Sequence, residues 1–403
     1  MTHAGSSSFS KALKETFTAY AFDLAGLIAG FLVAYQLNIF EKAPWVIALY
    51  PAVLGAKGVF EGLLSGRLST ALHLGTVYPR FSNNTKSFHN LIEAVIVLTL
   101  VTSVAMSAFS LVFASFLGIT FADFPNVLAV VVATMFLGLV LLLVTVKVAF
   151  FSFKRGLDPD LIVYPVMSAI ASIFITICYV LVLNLFFSFA NLGTAAIVGL
   201  GVANLLLVLY LVPKNLHETE FKKTIRESLA SLMIVAVIVN VTGAFLKGIS
   251  RFANSRIEFY TVYPALIGLV SDVGAVVGST ATTKLALGML KPTISSIGRH
   301  YKNILSAWLA SIVMFVVLAF AALLIHGIFT PAAFFSHVAV LLVANVIAVT
   351  LIVVISFAIS IITFQKGLDP GNFVIPIENA FAASVTSVAL LLALALLSLG
   401  SVI

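Results

Sequence analysis

The chain has 403 residues, of which 61% are hydrophobic and only 9% charged. A soluble domain carries about 25% charged residues, so no water-facing shell can be made from this composition, and the solvent it implies is lipid. The formal net charge of +7 would suggest nucleic acid in a soluble protein. Here the basic residues fall in short loops, where they set membrane orientation instead. Only helices and closed barrels satisfy their backbone in hydrocarbon, and apolar runs of roughly 20 residues select helices. The expectation is therefore an all-α polytopic membrane protein in contact with the lipid bilayer.

The first residues, MTHAGSSSFS, read as a short polar tail with no cleavable signal, because the first apolar run is longer than a signal core of about 7–15 residues. Eleven spans follow, at 17–39, 46–75, 90–118, 126–152, 160–188, 192–213, 227–248, 259–289, 303–328, 332–363 and 373–401. Spans two and eight differ from the rest. They contain GAKGVFEGLLSGRLST and GLVSDVGAVVGSTATT, with several glycines and polar residues, and are expected to be interrupted in their second halves. Such segments at matching places in two halves point to a transport site.

The halves match in order and spacing. Tyr50-Pro51-Ala52 recurs as Tyr263-Pro264-Ala265, and Asn90 as Asn303, each 213 residues apart. Lys-Arg-Gly-Leu-Asp-Pro at 154–159 answers Gln-Lys-Gly-Leu-Asp-Pro at 365–370, with Pro165 and Pro376 each six residues further on. The duplication gives a five-helix unit over 1–188, a connecting helix over 189–213 and a second unit over 214–403. Five spans plus one return the chain to its starting side, so the copies are expected to be parallel.

With the N-terminus cytoplasmic, the inner segments hold fourteen basic residues: Lys11, Lys14, Arg80, Lys86, Lys154, Arg155, Lys214, Lys222, Lys223, Arg226, Lys291, Arg299, Lys302 and Lys366. The outer loops hold four, Lys42, Lys247, Arg251 and Arg256. That bias places the N-terminus inside and the C-terminus outside.

The two segments PAVLGAKGVFEGLLSGRLSTALHLG from Pro51 and PALIGLVSDVGAVVGSTATTKLALG from Pro264 carry a family pattern. With GLDPDLIVYP at 156–165 and GLDPGNFVIP at 367–376, the chain resembles the MgtE-like divalent cation transporters, in their duplicated solute-carrier branch. The resemblance implies two five-helix units joined by an extra helix, and transport of divalent cations, Mg²⁺ first, as substrate rather than cofactor. The short N-terminal tail leaves no room for the cytoplasmic regulatory domains of single-unit members. Two departures matter. The family's pore Asn in the second helix falls on Val59 and Asp272. Its ion-binding Asp, seven residues past the fifth-helix proline, falls on Ser172 and Ala383.

Carboxylates within helices cost about 2.5–3.5 kcal/mol each on insertion scales, so each needs a partner or a polar pathway. Asp272 is the leading candidate for a cation ligand; the competing reading pairs it with Lys284 or with a broken helix end. Glu61, four residues after Lys57, reads equally as an ion-pair partner or a ligand. Glu378 and Asn379 stand near the missing fifth-helix Asp and could replace it. Asp23 reads first as a buried acid bonded to a neighbouring helix, and Glu93 as solvated. Gly58, Gly274, Ser271, Ser172, Thr70 and Thr283 are expected to line the pathway. Lys147 is read as snorkelling or paired. Lys57 and Arg67 would repel a cation if they faced a pore, and they raise the alternative of a carrier for an anionic or other small solute.

Cys178 is the only cysteine, so there is neither an intramolecular disulfide nor a Cys-based metal site. His73 reads as a lone imidazole, and the other histidines, at 3, 89, 217, 300, 326 and 337, as solvated. No nucleotide-binding loop occurs, which argues against an ATP-driven enzyme. A scaffold that only binds a partner is the alternative outside transport. One chain with two units could complete a pathway as a monomer, with a dimer as the other arrangement.

Overall fold

A computed structural model describes residues 9–35, 39, 42–115, 121–253 and 257–400. The expected N-terminal tail up to Ser8, Arg256 and the C-terminal residues 401–403 lie outside these, as do the side chains of Lys247 and Arg251. The described chain is helical with no strand. In order the helices are α1 (Phe9–Tyr20), α2 (Gly26–Tyr35), α3 (Pro44–Leu74), α4 (Lys86–Ser115), α5 (Phe124–Gly138), α6 (Val140–Lys154), α7 (Pro159–Ser188) and α8 (Ala190–Asn215). Then come α9 (Thr219–Ala253), α10 (Ile257–Ala286), α11 (Tyr301–Ile325), α12 (Pro331–Gln365) and α13 (Val374–Gly400). Taking α1 with α2 and α5 with α6 as single rods, each expected span has its rod.

Eight of these rods are long and apolar enough to cross a membrane among the described residues.

Spans two and eight are not interrupted, contrary to expectation: α3 and α10 run unbroken. Their glycines are contact surfaces instead of hinges. A Cβ on Gly62 would collide with Ile375, and one on Gly278 with Val374, so bare backbone on α3 and α10 admits α13 at close range. The irregular backbone lies in the first span. Ala21–Ala25 forms a 3₁₀ turn between α1 and α2, and Asp23 is its only acidic residue.

The halves interlock. Helix α1 packs on α11 and α9 on α4, while α13 reaches α3 and α7 reaches α10. One apolar core spans α3 to α7 and takes in Phe373, Ile377 and Ala380 from the other half. The second core, built on α10 to α13, takes in Leu161 and Val166.

Polar contacts repeat with the sequence spacing. The Tyr50 hydroxyl lies 2.7 Å from Thr176 Oγ1, and the Tyr263 hydroxyl 2.6 Å from Ser387 Oγ. Glu15 Oε2 accepts from Asp158 N at 3.1 Å, and Glu227 Oε2 from Asp369 N at 2.9 Å. Lys11 and Lys223 donate to the carbonyls of Gly156 and Gly367. The two Gly-Leu-Asp-Pro turns are therefore held by matching Lys-x-x-x-Glu pairs, one on α1 and one on α9.

Candidate functional site

A charged centre sits where α3, α10, α13 and the 3₁₀ turn meet. Asp272 on α10 is 0% exposed, Glu378 on α13 0%, Glu61 on α3 1% and Asp23 5%. The carboxyls of Asp23 and Asp272 lie within hydrogen-bonding reach of each other, which brings together two acids 249 positions apart. Ionised, neither can donate to the other. Among the described residues neither Asp272 oxygen has a hydrogen-bond partner, and the same is true of Asp23 Oδ2 and Glu378 Oε2. Glu378 Oε1 accepts from Ser271 Oγ at 3.3 Å.

Gly274 shapes this centre. A Cβ there would run into Glu378, Ile352 and Ser356, so only glycine lets the Glu378 carboxyl lie across α10. Gly58 does the same on α3 for the Asn379 amide. Asn379 Oδ1 in turn accepts from Ser271 Oγ at 2.9 Å. Ser271, Asn379 and Gly58 thus join the two halves directly around the acids. The Tyr164 hydroxyl, 3.3 Å from Ser271 Oγ, stands among Glu378, Glu61 and Asp272. Tyr20 is fully buried, within electrostatic reach of Asp272, Asp23 and Glu378.

Lys57 supplies the one cation found near these acids among the described residues. Its Nζ lies 3.2 Å from Glu61 Oε2 and donates to the Ser168 carbonyl and to Ser172 Oγ, each at 3.0 Å. Its charge also reaches Asp23 and Asp272. Ser172 stands at one of the two positions where the resemblance calls for an Asp, so here an ammonium group fills the place beside it.

Several expectations are corrected. Lys284 is not the partner of Asp272; its Nζ donates to Asn303 Oδ1 at 2.6 Å and lies 3.2 Å from His300 Nδ1. His300 is fully buried rather than solvated, 3.0 Å from Thr280 Oγ1. His326 bonds Thr261 at 2.6 Å, and His337 is buried against Phe259. Glu93 is not simply solvated, since it accepts from Lys214 at 2.6 Å and from Asn215. Arg67 pairs with Asp369 at 3.2 Å and donates to Thr224.

Asp23 reads from sequence as a secondary candidate, although it touches Asp272. The sole signal was its charge within an apolar run. His73, read as a lone imidazole, in fact lies beside Asp158 and Asp160, with nitrogen–oxygen separations of 3.6 and 3.7 Å. Asp158, a quarter exposed along its side chain yet hemmed in by protein, has its carboxyl pushed up to about 7. The first cause is loss of water around it and the second the Asp160 charge, with His73 pulling the other way.

Helical rods of membrane-crossing length around a buried acidic centre define a polytopic integral membrane protein. The MgtE divalent cation transporter family matches residues 50–182 and 263–399, most of each half, and the chain belongs to that family. No curated protein matches the sequence. Among solved structures, the chain is similar to a eukaryotic MATE transporter, AtDTX14, with 12% identity and a TM-score of 0.45, covering 97% of this chain and 95% of that one. It is likewise similar to a multidrug resistance MATE family transporter of the MOP superfamily in an outward-facing conformation. There the identity is 11% and the TM-score 0.43, over 97% of this chain and 96% of that one.

Proposed function

We propose that this chain carries Mg²⁺ across the cell membrane along a pathway between two parallel units, 1–188 and 214–403, joined by the helix over 189–213. In this reading the N-terminus is cytoplasmic and the C-terminus extracytoplasmic, as the bias of basic residues favours. Asp272 is the principal ligand, with Asp23 and Glu378 beside it and the Ser271 and Asn379 oxygens as neutral ligands. The supporting observation is the group of buried carboxyl oxygens on Asp23, Asp272 and Glu378 that lack donors. Lys57 offsets Glu61, which leaves three further acids, and a divalent cation would balance two of their three charges. Mg²⁺ keeps several of its waters and needs only one or two carboxylates with other oxygens. Intramembrane acids in protein interiors mark such ion pathways.

The anion-carrier reading relied on Lys57 and Arg67 as free cations. Lys57 is engaged by Glu61 and Ser172, and Arg67 by Asp369 and Thr224, which removes its main support. Purified protein in liposomes containing a Mg²⁺-sensitive dye tests the proposal. Dye response to an inward Mg²⁺ gradient is the expected result. A silent dye together with uptake of an anionic tracer would favour the carrier, and silence in both assays the scaffold.

A further inference from the structure

Away from the central acids, the end of α3 meets the turn before α7. There His73, Asp158 and Asp160 each offer one ligand atom, all within 4.8 Å of one another. His73 Nδ1 lies 3.1 Å from the Ser69 carbonyl. A bond there places the proton on Nδ1 and leaves the Nε2 lone pair facing Asp158 Oδ1, 3.6 Å away. Metal-bound imidazoles are oriented in this way, by donating the other N–H to a carbonyl. The Nε2–Asp158 separation is too long for a hydrogen bond and lies close to the roughly 3–3.4 Å that separates two atoms each about 2.1 Å from one ion. Asp160 Oδ2 lies 3.7 Å from the other ring nitrogen, Nδ1.

The carboxylates have their own supports. Ser279 Oγ donates to Asp160 Oδ1 at 2.6 Å, and the Asp160 N–H donates to Asp158 Oδ1 at 3.0 Å. Asp160 is 4% exposed. Of the charged groups around it, Glu15 takes the Asp158 N–H and pairs with Lys11 at 3.6 Å. Lys284 exerts its charge from a position held by Asn303.

The other half provides the contrast. His73, Asp160 and Ser279 correspond there to Ala286, Gly371 and Gly66. The remaining acid, Asp369, is paired with the Arg67 guanidinium at 3.2 Å. Position 280, which answers Arg67, is Thr280. The second half thus carries a built-in cation at its turn, whereas the first has an imidazole and two carboxylates in its place.

We infer that His73, Asp158 and Asp160 form a second divalent-metal site, suited to a first-row transition-metal ion such as Mn²⁺, Co²⁺ or Zn²⁺ and distinct from the central acids. One nitrogen with carboxylate oxygens favours these ions over Mg²⁺. An ion bound there ties α3 to α7 directly and, through Ser279 and Glu15, to α10 and α1.

The test uses the purified full-length protein with Mn²⁺, followed by pulsed EPR for ¹⁴N coupling and by titration calorimetry. Wild type should show imidazole nitrogen at bound Mn²⁺. His73→Ala should lose that coupling and weaken the site about tenfold or more, while Asp272→Asn keeps both. His73→Gln, checked for an unchanged melting temperature, serves if His73→Ala fails to fold. Absence of ¹⁴N coupling in saturated wild type, its persistence without His73, or its loss in Asp272→Asn would each overturn the inference. Failure of Mg²⁺ flux would leave these readings untouched, so the two proposals stand or fall separately.

Discussion

Thr70 and Thr283 are repeat counterparts, 213 residues apart, and their hydroxyl oxygens touch at 3.2 Å. A residue can contact its own equivalent only on the axis that relates the two copies, as in any isologous pairing. The axis of pseudo-symmetry therefore passes between α3 and α10 at this pair, beyond Gly66 and Gly278 and on the same two helices as Glu61 and Asp272. A disulfide tests this directly. In a Cys178→Ser background, Thr70→Cys with Thr283→Cys should cross-link within one chain under mild oxidation. Proteolysis in the segment between them should then leave the two fragments joined. Free thiols, or cross-links only between chains, would remove the pair from the axis.

Gly274 and Gly58 should respond differently to the same substitution. A side chain at Gly274 meets Glu378, Ile352 and Ser356, whereas at Gly58 it meets only the Asn379 amide. Gly274→Ala should destabilise by about 1–3 kcal/mol through overpacking, seen as a lower melting temperature in detergent. Gly58→Ala should cost less, because the Asn379 side chain can turn aside. Equal losses would mean that the close approach of α13 to α10 is not as described.

The Lys57–Glu61 pair is buried on both sides, with side-chain exposures of 7% and 1%. Removing the cation alone by Lys57→Met leaves an uncompensated buried carboxylate and should cost about 3–5 kcal/mol. Adding Glu61→Gln should restore most of that stability. If Lys57→Met is as stable as wild type, Glu61 has another partner.

Much of this architecture is legible in the sequence, for identifiable reasons. Apolar run length sets the rods, and repeated Tyr-Pro-Ala and Gly-Leu-Asp-Pro segments set the duplication. The misreadings arise where chemistry depends on contacts between distant residues. Glycines at 58, 62, 274 and 278 look like helix breaks, yet backbone hydrogen bonding in α3 and α10 continues and the missing side chains make room for α13. Asp23 looks isolated because Asp272 is brought to it only by packing of the 3₁₀ turn on α10. His73 shares no local pattern with Asp158 and Asp160, which are 85 and 87 residues away. Lys284 lies twelve residues from Asp272 on one helix, and only the fold shows that Asn303 and His300 claim it.

That last contact gives a further expectation. Since Lys284 bonds Asn303 and His300, combining Asp272→Asn with Lys284→Met should not rescue any defect of the single Asp272 variant. The two stability changes should add within about 0.5 kcal/mol, as for independent sites. Mutual rescue would re-establish them as partners.

The most direct measurement is Mg²⁺ flux through Asp272→Asn in liposomes, read beside its melting temperature. The substitution keeps shape while replacing a carboxylate ligand with a weaker neutral oxygen, and a neutral amide is less costly to bury than a charge. Flux should fall about tenfold or more, since a lost ligand interaction of at least 1.4 kcal/mol corresponds to that factor, with the melting temperature unchanged or raised. Wild-type flux in a correctly folded Asp272→Asn protein would contradict a cation pathway through the central acids.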